Sequence, residues 1–594
     1  MHTFENKTIH SNANYCYICE SKWDSSLKKS IKSSFIVGKI TDGIFKPNNY
    51  MLDLLNKHLH NPVALNDHQK ITINTLLEKY GDGILNNLDV PPKPKGIKTA
   101  KVIFFGPELV YGEITRKYNI VEKLTQSFGL ELGQHILAVS WYLVCEGDAL
   151  SNSDVWFEIF ETPSKLPLSS QQISKMLELM TYDKIMTFYK LWLQEFSKSN
   201  ESILYDLTSI SSYSNNLTLV EPGYNRSHQS LPQVNFALLC IRKTGMPLYA
   251  NPLQGSISDV STLETLLKIL DKLGYHPNCL MMDRGFGSSN NISYMLQKKQ
   301  KFLQSLKINN NWIKTIIDNN YSNIRNHPKH IIIKKYGQKK RVYRAFTVKC
   351  QWVHQIETIK NDRIKESMFA VESNSKYLAP SSNITIKAQY PCFLHILFSH
   401  DLSCDHADKF IIELNQEAER LEADESATIS DEYKKFLKIS KPKCARKREI
   451  NYDFDAIEKA QETYKGHVCF LTNDPSISTA KEALEEYSTR DYIEKDFDEM
   501  KNELDMKNLI VHTDENLRAR LFVQFLSEII LRELKVTFKN NDLIENLTRK
   551  QISGALKGMH KITFANKYKD IYPKATKKQR LILNALNIKC KSLD

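Results

Sequence analysis

Residues 201–210 (ESILYDLTSI), 234–242 (VNFALLCIR), 246–253 (MPLYANPL), 260–273 (VSTLETLLKILDKL), 278–283 (NCLMMD), 288–299 (SSNNISYMLQKK) and 301–307 (KFLQSLK) form the run whose reading decides the fold. The first three are short apolar runs with β-branched and aromatic residues, and they read as strands. VSTLETLLKILDKL repeats its apolar residues at helical period, and SSNNISYMLQKK opens with capping chemistry before a second helix. NCLMMD reads as a short buried strand, and KFLQSLK closes the run as a fifth. The predicted order of strand, strand, strand, helix, strand, helix, strand is that of an α/β sheet. It puts Asp206 on the first strand and Asp283 at the end of the fourth. Taken singly, Asp206 also reads as a strand-end residue satisfied by backbone bonds, and Asp283 as a turn residue before RGFG.

A further acidic position comes from residues 487–501, YSTRDYIEKDFDEMK, which contain no Pro or Gly and read as one helix. At about 100° per residue, Arg490, Glu494 and Lys501 fall roughly 60°, 20° and 40° to one side of Tyr487, so the four share a narrow stripe. Ile493, Phe497, Met500 and Leu504 make an apolar stripe beside it, and docking by that stripe holds the first at the rim of a core. A solvated face with i,i+4 charge pairs has the same composition. The distinguishing combination is one carboxylate able to bind metal with three groups that seek phosphate.

The spacing of Tyr487, Arg490, Glu494 and Lys501 resembles the Y-R-E-K signature of bacterial insertion-sequence transposases of the DDE class, in the insertion-sequence four superfamily. Asp206 and Asp283 match the two upstream Asp residues of those enzymes. Residues 223–263, the N-terminal stretches YCYICESKWDSSLKKSIKSSFIVGKITDGIFKPN and IFFGPELVYGEITRKYNIVEKL, and LRARLFVQFLSEIIL after the signature are similar to the family too. The resemblance implies a ribonuclease-H-like mixed sheet flanked by helices, with Asp206 and Asp283 side by side. A mainly β insertion domain interrupts that sheet, and an N-terminal helical DNA-binding region precedes it.

By the same resemblance, Asp206, Asp283 and Glu494 are the catalytic carboxylates and hold two Mg²⁺ ions, with Mn²⁺ an acceptable substitute. Tyr487, Arg490 and Lys501 contact DNA phosphates. The implied activity is that of a DNA transposase, which cleaves at the ends of an insertion sequence and joins them to target DNA by two-metal phosphoryl transfer. Related enzymes pass through hairpin ends. Two alternatives share the metal site: a catalytically inactive DNA-binding relative, and a metal-dependent nuclease that does not join strands. The implied partners are double-stranded DNA, as transposon ends and target, and a second copy of the chain in the DNA complex.

Composition agrees with this picture. A chain of 594 residues has room for several domains, and its net charge of +13 attracts polyanions. No window of about eighteen apolar residues is present, so no membrane span is expected. MHTFENKTIHSN lacks the apolar core of a secretory signal. Eleven dispersed cysteines suit a reducing compartment. The expected location is the bacterial cytoplasm, in association with the nucleoid. Cys16 and Cys19, the one close pair, lie in a segment that reads as strand, and no second ligand pair at zinc spacing follows. Cys404 and His406, beside Asp405 and Asp408, read as a mixed polar loop.

Composition shifts divide the chain into a small N-terminal unit (1–95), a helical region (96–198), two parts of a catalytic core (199–307 and 466–538), a basic β-rich insertion (308–465) and a basic C-terminal region (539–594). PPKPKGIKTAK at 91–101 reads as a linker. In the helical region, Arg116, Lys117 and Lys123 suit a DNA groove or a packing role equally. Between Lys301 and Gln355 the only acid is Asp318, and aromatics are interleaved with many Lys and Arg, a mixture suited to phosphate contact and base stacking. Trp312 and Trp352 in that stretch are candidates for a wedge holding a flipped base, as the resemblance implies, with core packing the stronger reading of each. Residues 413–436 read as a surface helix or helical hairpin. KPKCARKRE at 441–449 reads as a basic segment able to touch DNA or as a solvated loop.

Overall fold

The computed structural model describes residues 6–589 apart from 12–13, 25–26, 42–43, 61–64, 82–99, 165–166, 215, 224–230, 337–338, 360–362, 376–382, 425, 441–448, 463, 507–510, 540, 543 and 565–568. Most of the expected linker at 91–101 and of the basic segment at 441–449 therefore lies outside the described residues. The chain divides into two compact units, Met1–Ala100 with Phe564–Tyr568, and Lys101–Thr563 with Lys569–Asp594.

The first unit is a four-stranded antiparallel sheet, β1 (Asn6–Ser11), β2 (Tyr15–Asp24), β3 (Lys29–Thr41) and β4 (Ile44–Pro47), with helices Asn49–His60 and Asp67–Tyr80. Cys16, Ile18, Val37 and Phe45 face Met51, Leu54, Leu55, Ile73 and Leu76 in one small core. Strand alternation turns Cys16 and Cys19 to opposite faces of β2, and Cys16 accepts a hydrogen bond from the Tyr80 hydroxyl at 3.2 Å. The pair cannot converge on one ion.

The second unit opens with β5 (Ala100–Phe104) and a set of helices from Gly106–Lys117 to Tyr182–Glu195. The seven expected elements follow: β6 (Ser202–Ser211), β7 (Gln233–Ile241), β8 (Pro247–Leu253), helix Asp259–Leu273, β9 (Cys279–Met282), helix Ser289–Gln297 and β10 (Phe302–Leu306). Next come β11 (Ile331–Tyr336), β12 (Lys339–Ile359), β13 (Arg363–Glu372), β14 (Ile384–Phe398), helix His400–Ala423, β15 (Leu437–Ser440), β16 (Glu449–Tyr452) and β17 (His467–Thr472). Helices Ala480–Tyr487, Asp491–Glu503, Asp514–Phe538 and Arg549–Lys557, then β18 (His560–Phe564) and helix Lys577–Ala585, complete the unit.

Its main sheet is mixed, in the order β11-β12-β14-β17-β10-β9-β6-β7-β8, with β13 paired to β12. The central strands β6, β9 and β10 are parallel to one another, and the others pair antiparallel. β7, β9 and β10 are buried throughout and β6 nearly so; β9 is continuously apolar, and β6, β7 and β10 bury polar residues among their apolar ones. β12 and β14 from the stretch after Lys307 hydrogen-bond onto β17, so they extend the central sheet. Helix Asp514–Phe538 is buried along most of its length. Its Phe522 and Phe525 pack on Tyr189, and Phe522 also on Phe188, so the helical region shares one core with the sheet.

Four expectations are corrected or sharpened here. Residues 487–501 do not form one helix: a helix ends at Tyr487, a 3₁₀ turn covers Ser488–Arg490, and a second helix starts at Asp491. The Ser488 and Thr489 hydroxyls donate to the carbonyls of Glu485 and Glu486 at 2.9 and 2.7 Å, where the continuing backbone ladder would otherwise bond. Cys404 and His406 lie on helix His400–Ala423 and not in a loop. Leu414 and Leu421 of that helix pack with Leu437 and Ile457, leaving polar residues to its outer side. The acidic stretch 413–436 is helical only to Ala423 and turns thereafter. Lys123 is buried and pairs with Glu195 at 2.6 Å, which is a packing role, whereas Arg116 and Lys117 stay mostly exposed beside Glu113 and Glu533.

Trp352 is fully buried, donates from its indole N–H to Ser293 at 2.8 Å and meets Trp312 edge-on at 5.9 Å, as a core pair does. Among the described residues, no helix is long and apolar enough to cross a membrane.

Candidate active site

Parallel pairing of β6 with β9 sets Tyr205 opposite Met282, so the residues that follow, Asp206 and Asp283, stand at neighbouring positions in the centre of the sheet. Asp206 stays within β6, opposite Leu238 of β7, and is buried. Asp283 leaves the sheet as the N-cap of the turn Arg284–Phe286, whose position is fixed where the Gln304 amide donates to the Asp283 carbonyl at 2.6 Å.

Across from them, the turn Ser488–Arg490 and the following helix deliver one guanidinium to three carboxylates. Arg490 Nη2 donates to Asp206 Oδ2 at 2.8 Å and lies 3.4 Å from Asp283 Oδ2, while Nη1 lies 3.1 Å from Glu494 Oε1. The Tyr487 hydroxyl donates to Asp283 Oδ1 at 2.8 Å, and the Leu207 N–H donates to Asp206 Oδ1 at 2.8 Å. The structure thus brings Asp206, Asp283, Glu494, Tyr487 and Arg490 together. Lys501 lines the same space. The space is an open, mostly polar cleft of about 1340 Å³ whose walls also include Lys307 and Asp498.

Burial pushes the Asp206 carboxyl above its ordinary range, and the Arg490 guanidinium opposes that rise without cancelling it. Burial works to lower the Arg490 value, but Asp206, Tyr487 and Asp283 outweigh it and hold the guanidinium firmly charged. Burial and then the Asp283 charge push the Tyr487 phenol well above its usual value, so it stays a neutral donor. Three carboxylates share one cationic side chain here, and the most buried of them is still short of positive charge. A hard divalent cation fits that deficit and the all-oxygen donor set.

The opposite side of helix Asp491–Glu503 holds charges that the sequence reading passed over. At about 100° per residue, Asp496, Glu499 and Glu503 lie roughly 200°, 140° and 180° around from Glu494. Asp496, Glu499 and Glu528 of helix Asp514–Phe538 each bring one carboxylate oxygen within 4.8 Å of the others, a spacing that also suits a metal. Basic side chains already fill this place. Arg532 contacts Asp496 and lies 3.6 Å from Glu528, Lys535 contacts Glu499, and Arg549 Nε is 3.3 Å from Glu503 Oε2. Burial, and then Glu499, push the Glu528 carboxyl well above the usual range, so it keeps its proton where a surface carboxyl has lost one. The i, i+3, i+7 spacing of the acids, with Arg532, Lys535 and Arg549 downstream, is the signal that could have revealed the cluster.

A mixed α/β sheet with carboxylates gathered at one open cleft is the class of domain defined here, and comparison with known families gives its family. Residues 202–527, more than half of the chain, match the family described as transposase DDE domain, and the chain belongs to that family. The matched span begins at β6 and ends in helix Asp514–Phe538, enclosing all six of the residues singled out above. No curated protein matches the chain. Among solved structures, a cryo-EM structure of the piggyBac transposase synaptic complex with hairpin DNA is similar to it at 11% sequence identity and a TM-score of 0.34, covering 76% of this chain and 79% of that one.

Proposed function

We propose that the chain is a DNA transposase of the insertion-sequence four type that cleaves at the ends of an insertion sequence and joins them to target DNA. One observation carries the reading: carboxylates from β6, from the turn after β9 and from helix Asp491–Glu503 meet a single guanidinium on the floor of an open cleft. The parallel β6, β9 and β10 with antiparallel β7 and β8 support a ribonuclease-H-like core spanning 199–307 and 466–538. Residues 308–465 are then its β-rich insertion, and 96–198 and 539–594 are flanking regions.

In this proposal Asp206, Asp283 and Glu494 hold two Mg²⁺ ions, for which Mn²⁺ can substitute. Bound there, the ions supply an activated water or DNA 3′-hydroxyl and stabilise the leaving oxygen. Arg490, relieved of its role as counter-ion, turns its fork to the phosphate beside the scissile bond, where a bidentate contact both binds and orients. Lys501 adds a point charge at the rim. The neutral Tyr487 phenol holds Asp283 in place with its single O–H, and once metal takes the Asp283 carboxylate it can turn that one hydrogen bond to the DNA backbone. In this proposal a nick at the transposon end is followed by a hairpin route, with two copies of the chain on two DNA ends at the nucleoid.

The test is a labelled duplex carrying the element's own end, incubated with Mg²⁺. Nicked, hairpin and joined products are expected in that order. Nicks without joined product would support the nuclease alternative, and binding without any nick, in Mn²⁺ as well, would support the inactive relative.

A further inference from the structure

The first unit has a covered face and an open one. Helices Asn49–His60 and Asp67–Tyr80 cover the side of the sheet that carries Cys16, Ile18 and Phe45. Alternation sends Tyr15, Tyr17 and Trp23 of β2 to the other side, together with their cross-strand neighbours on β3. There Tyr15 stands opposite Lys39, and Lys39 stands opposite Lys46 of β4, with the Lys39 ammonium 5.8 Å from the Tyr15 ring centre. Trp23, at the far end, is 61% exposed. Lys32 is exposed near that end, opposite Ser21.

Three features of this face point one way. First, Glu20 of β2 has the alternation of Ile18 and so belongs to the covered side, and β3 and β4 contain no acid. Second, Lys39 and Lys46 are like charges directly opposite each other, a pairing that costs stability unless something negative lies over it. Third, Lys32 and Lys39 share this face because of the bulge opposite Cys16 and Tyr17; they pair with Ser21 and Tyr15, six residues apart on β2, about 20 Å at roughly 3.3 Å per residue. That separation exceeds the roughly 12 Å width of a major groove, so the two ammonium groups can reach phosphates on both sides of one. Between them lie aromatic and hydroxyl side chains suited to base edges and sugar.

We propose that the open face of the N-terminal sheet is a second DNA-binding surface, which lies across a duplex groove with Lys32, Lys39 and Lys46 on the phosphates. The choice of duplex DNA as the polyanion rests on the transposase reading. Sheets can enter a groove in this way, and the term from lysines is largely independent of sequence.

The experiment uses the full chain without divalent metal, and reads fluorescence anisotropy of a labelled duplex over a salt series. The triple variant Lys32→Ala, Lys39→Ala, Lys46→Ala should bind at least tenfold more weakly near physiological salt. Its log–log salt slope should be shallower by about 2.7, since each phosphate contact contributes about 0.9. A matching variant of the helical side, Lys57→Ala, Lys70→Ala, Lys79→Ala, should bind as the wild type does, and all three proteins should give the same circular dichroism. Wild-type affinity and slope in the first variant, or an equal loss in the second, would overturn the proposal while leaving the transposase reading intact. Loss of single-strand binding with duplex binding unchanged would also overturn it, in favour of a base-stacking platform. Failure of the wild type to bind duplex would remove both.

Discussion

Helix Asp491–Glu503 takes part in two clusters of similar composition and opposite fate. On one side Asp206, Asp283 and Glu494 surround Arg490, and on the other Asp496, Glu499 and Glu528 surround Arg532 and Lys535. The first opens onto a cleft, and Glu494 is about half exposed, so its cation can be exchanged for another. The second is closed in the core, with Asp496 and Glu528 fully buried, so its cations stay and Glu528 adjusts by holding a proton. Equal numbers of acids do not make equal sites. Access to solvent decides which cluster can bind a free ion and which can only hold two helices in register. The buried cluster thereby fixes the rotation of the helix that presents Glu494 to the cleft.

The largest break between the two is expected from removing each arginine. Arg532→Met leaves Asp496 and Glu528 without their buried partner and should cost about 3–5 kcal/mol of stability, measured by denaturant unfolding, with no recovery when Mg²⁺ is added. Arg490→Gln should cost less, because the cleft admits water, and millimolar Mg²⁺ should restore most of the lost thermal stability. A loss of the same size that Mg²⁺ does not relieve would contradict the cation deficit at Asp206.

A smaller effect concerns affinity. With Arg490 no longer competing for the carboxylates, Arg490→Gln should bind Mn²⁺ several-fold more tightly than the wild type in calorimetry without DNA, the order expected from a modest change in pairing energy. Weaker binding in the variant would mean that Arg490 helps to hold the ion.

The smallest effect is a dependence on pH. The folded-state value of Glu528 is raised, so its contribution is fully present below the unfolded value of about 4.3 and is lost as pH rises through the folded value. Wild-type melting temperature should therefore fall relative to Glu528→Gln, which has no proton to lose, as pH rises above the unfolded value. Parallel pH profiles of the two proteins would contradict the buried proton.

Much of this was legible in the sequence. The order from β6 to β10 follows from apolar runs and helical period, and Asp206 on β6 stands beside Asp283 at the end of the neighbouring parallel strand β9. Tyr487, Arg490 and Glu494 meet those residues, although Ser488 and Thr489 break the expected single helix by bonding back to the preceding turn. Two things were hidden. The place of Arg490 among all three carboxylates depends on how that turn sets the helix against the sheet, which spacing does not encode. Asp496, Glu499 and Glu503 look like an ordinary solvated stripe until Arg532, Lys535 and Arg549 come to lie against them. The helix carrying Leu414 and Leu421 was legible from their period, but its start at His400 was not, because the polar residues Cys404–Asp408 read as a loop.

The most direct measurement is Mg²⁺-dependent nicking of a labelled transposon-end duplex by four proteins: wild type, Asp206→Asn, Glu494→Gln and Glu528→Gln. Loss of roughly a thousandfold or more is expected in the two cleft variants with DNA binding kept, given the several kcal/mol a catalytic metal contributes. Glu528→Gln should cut as the wild type does. Nicking that survives Asp206→Asn and Glu494→Gln but disappears in a folded Glu528→Gln would place the chemistry at the buried cluster and contradict the account.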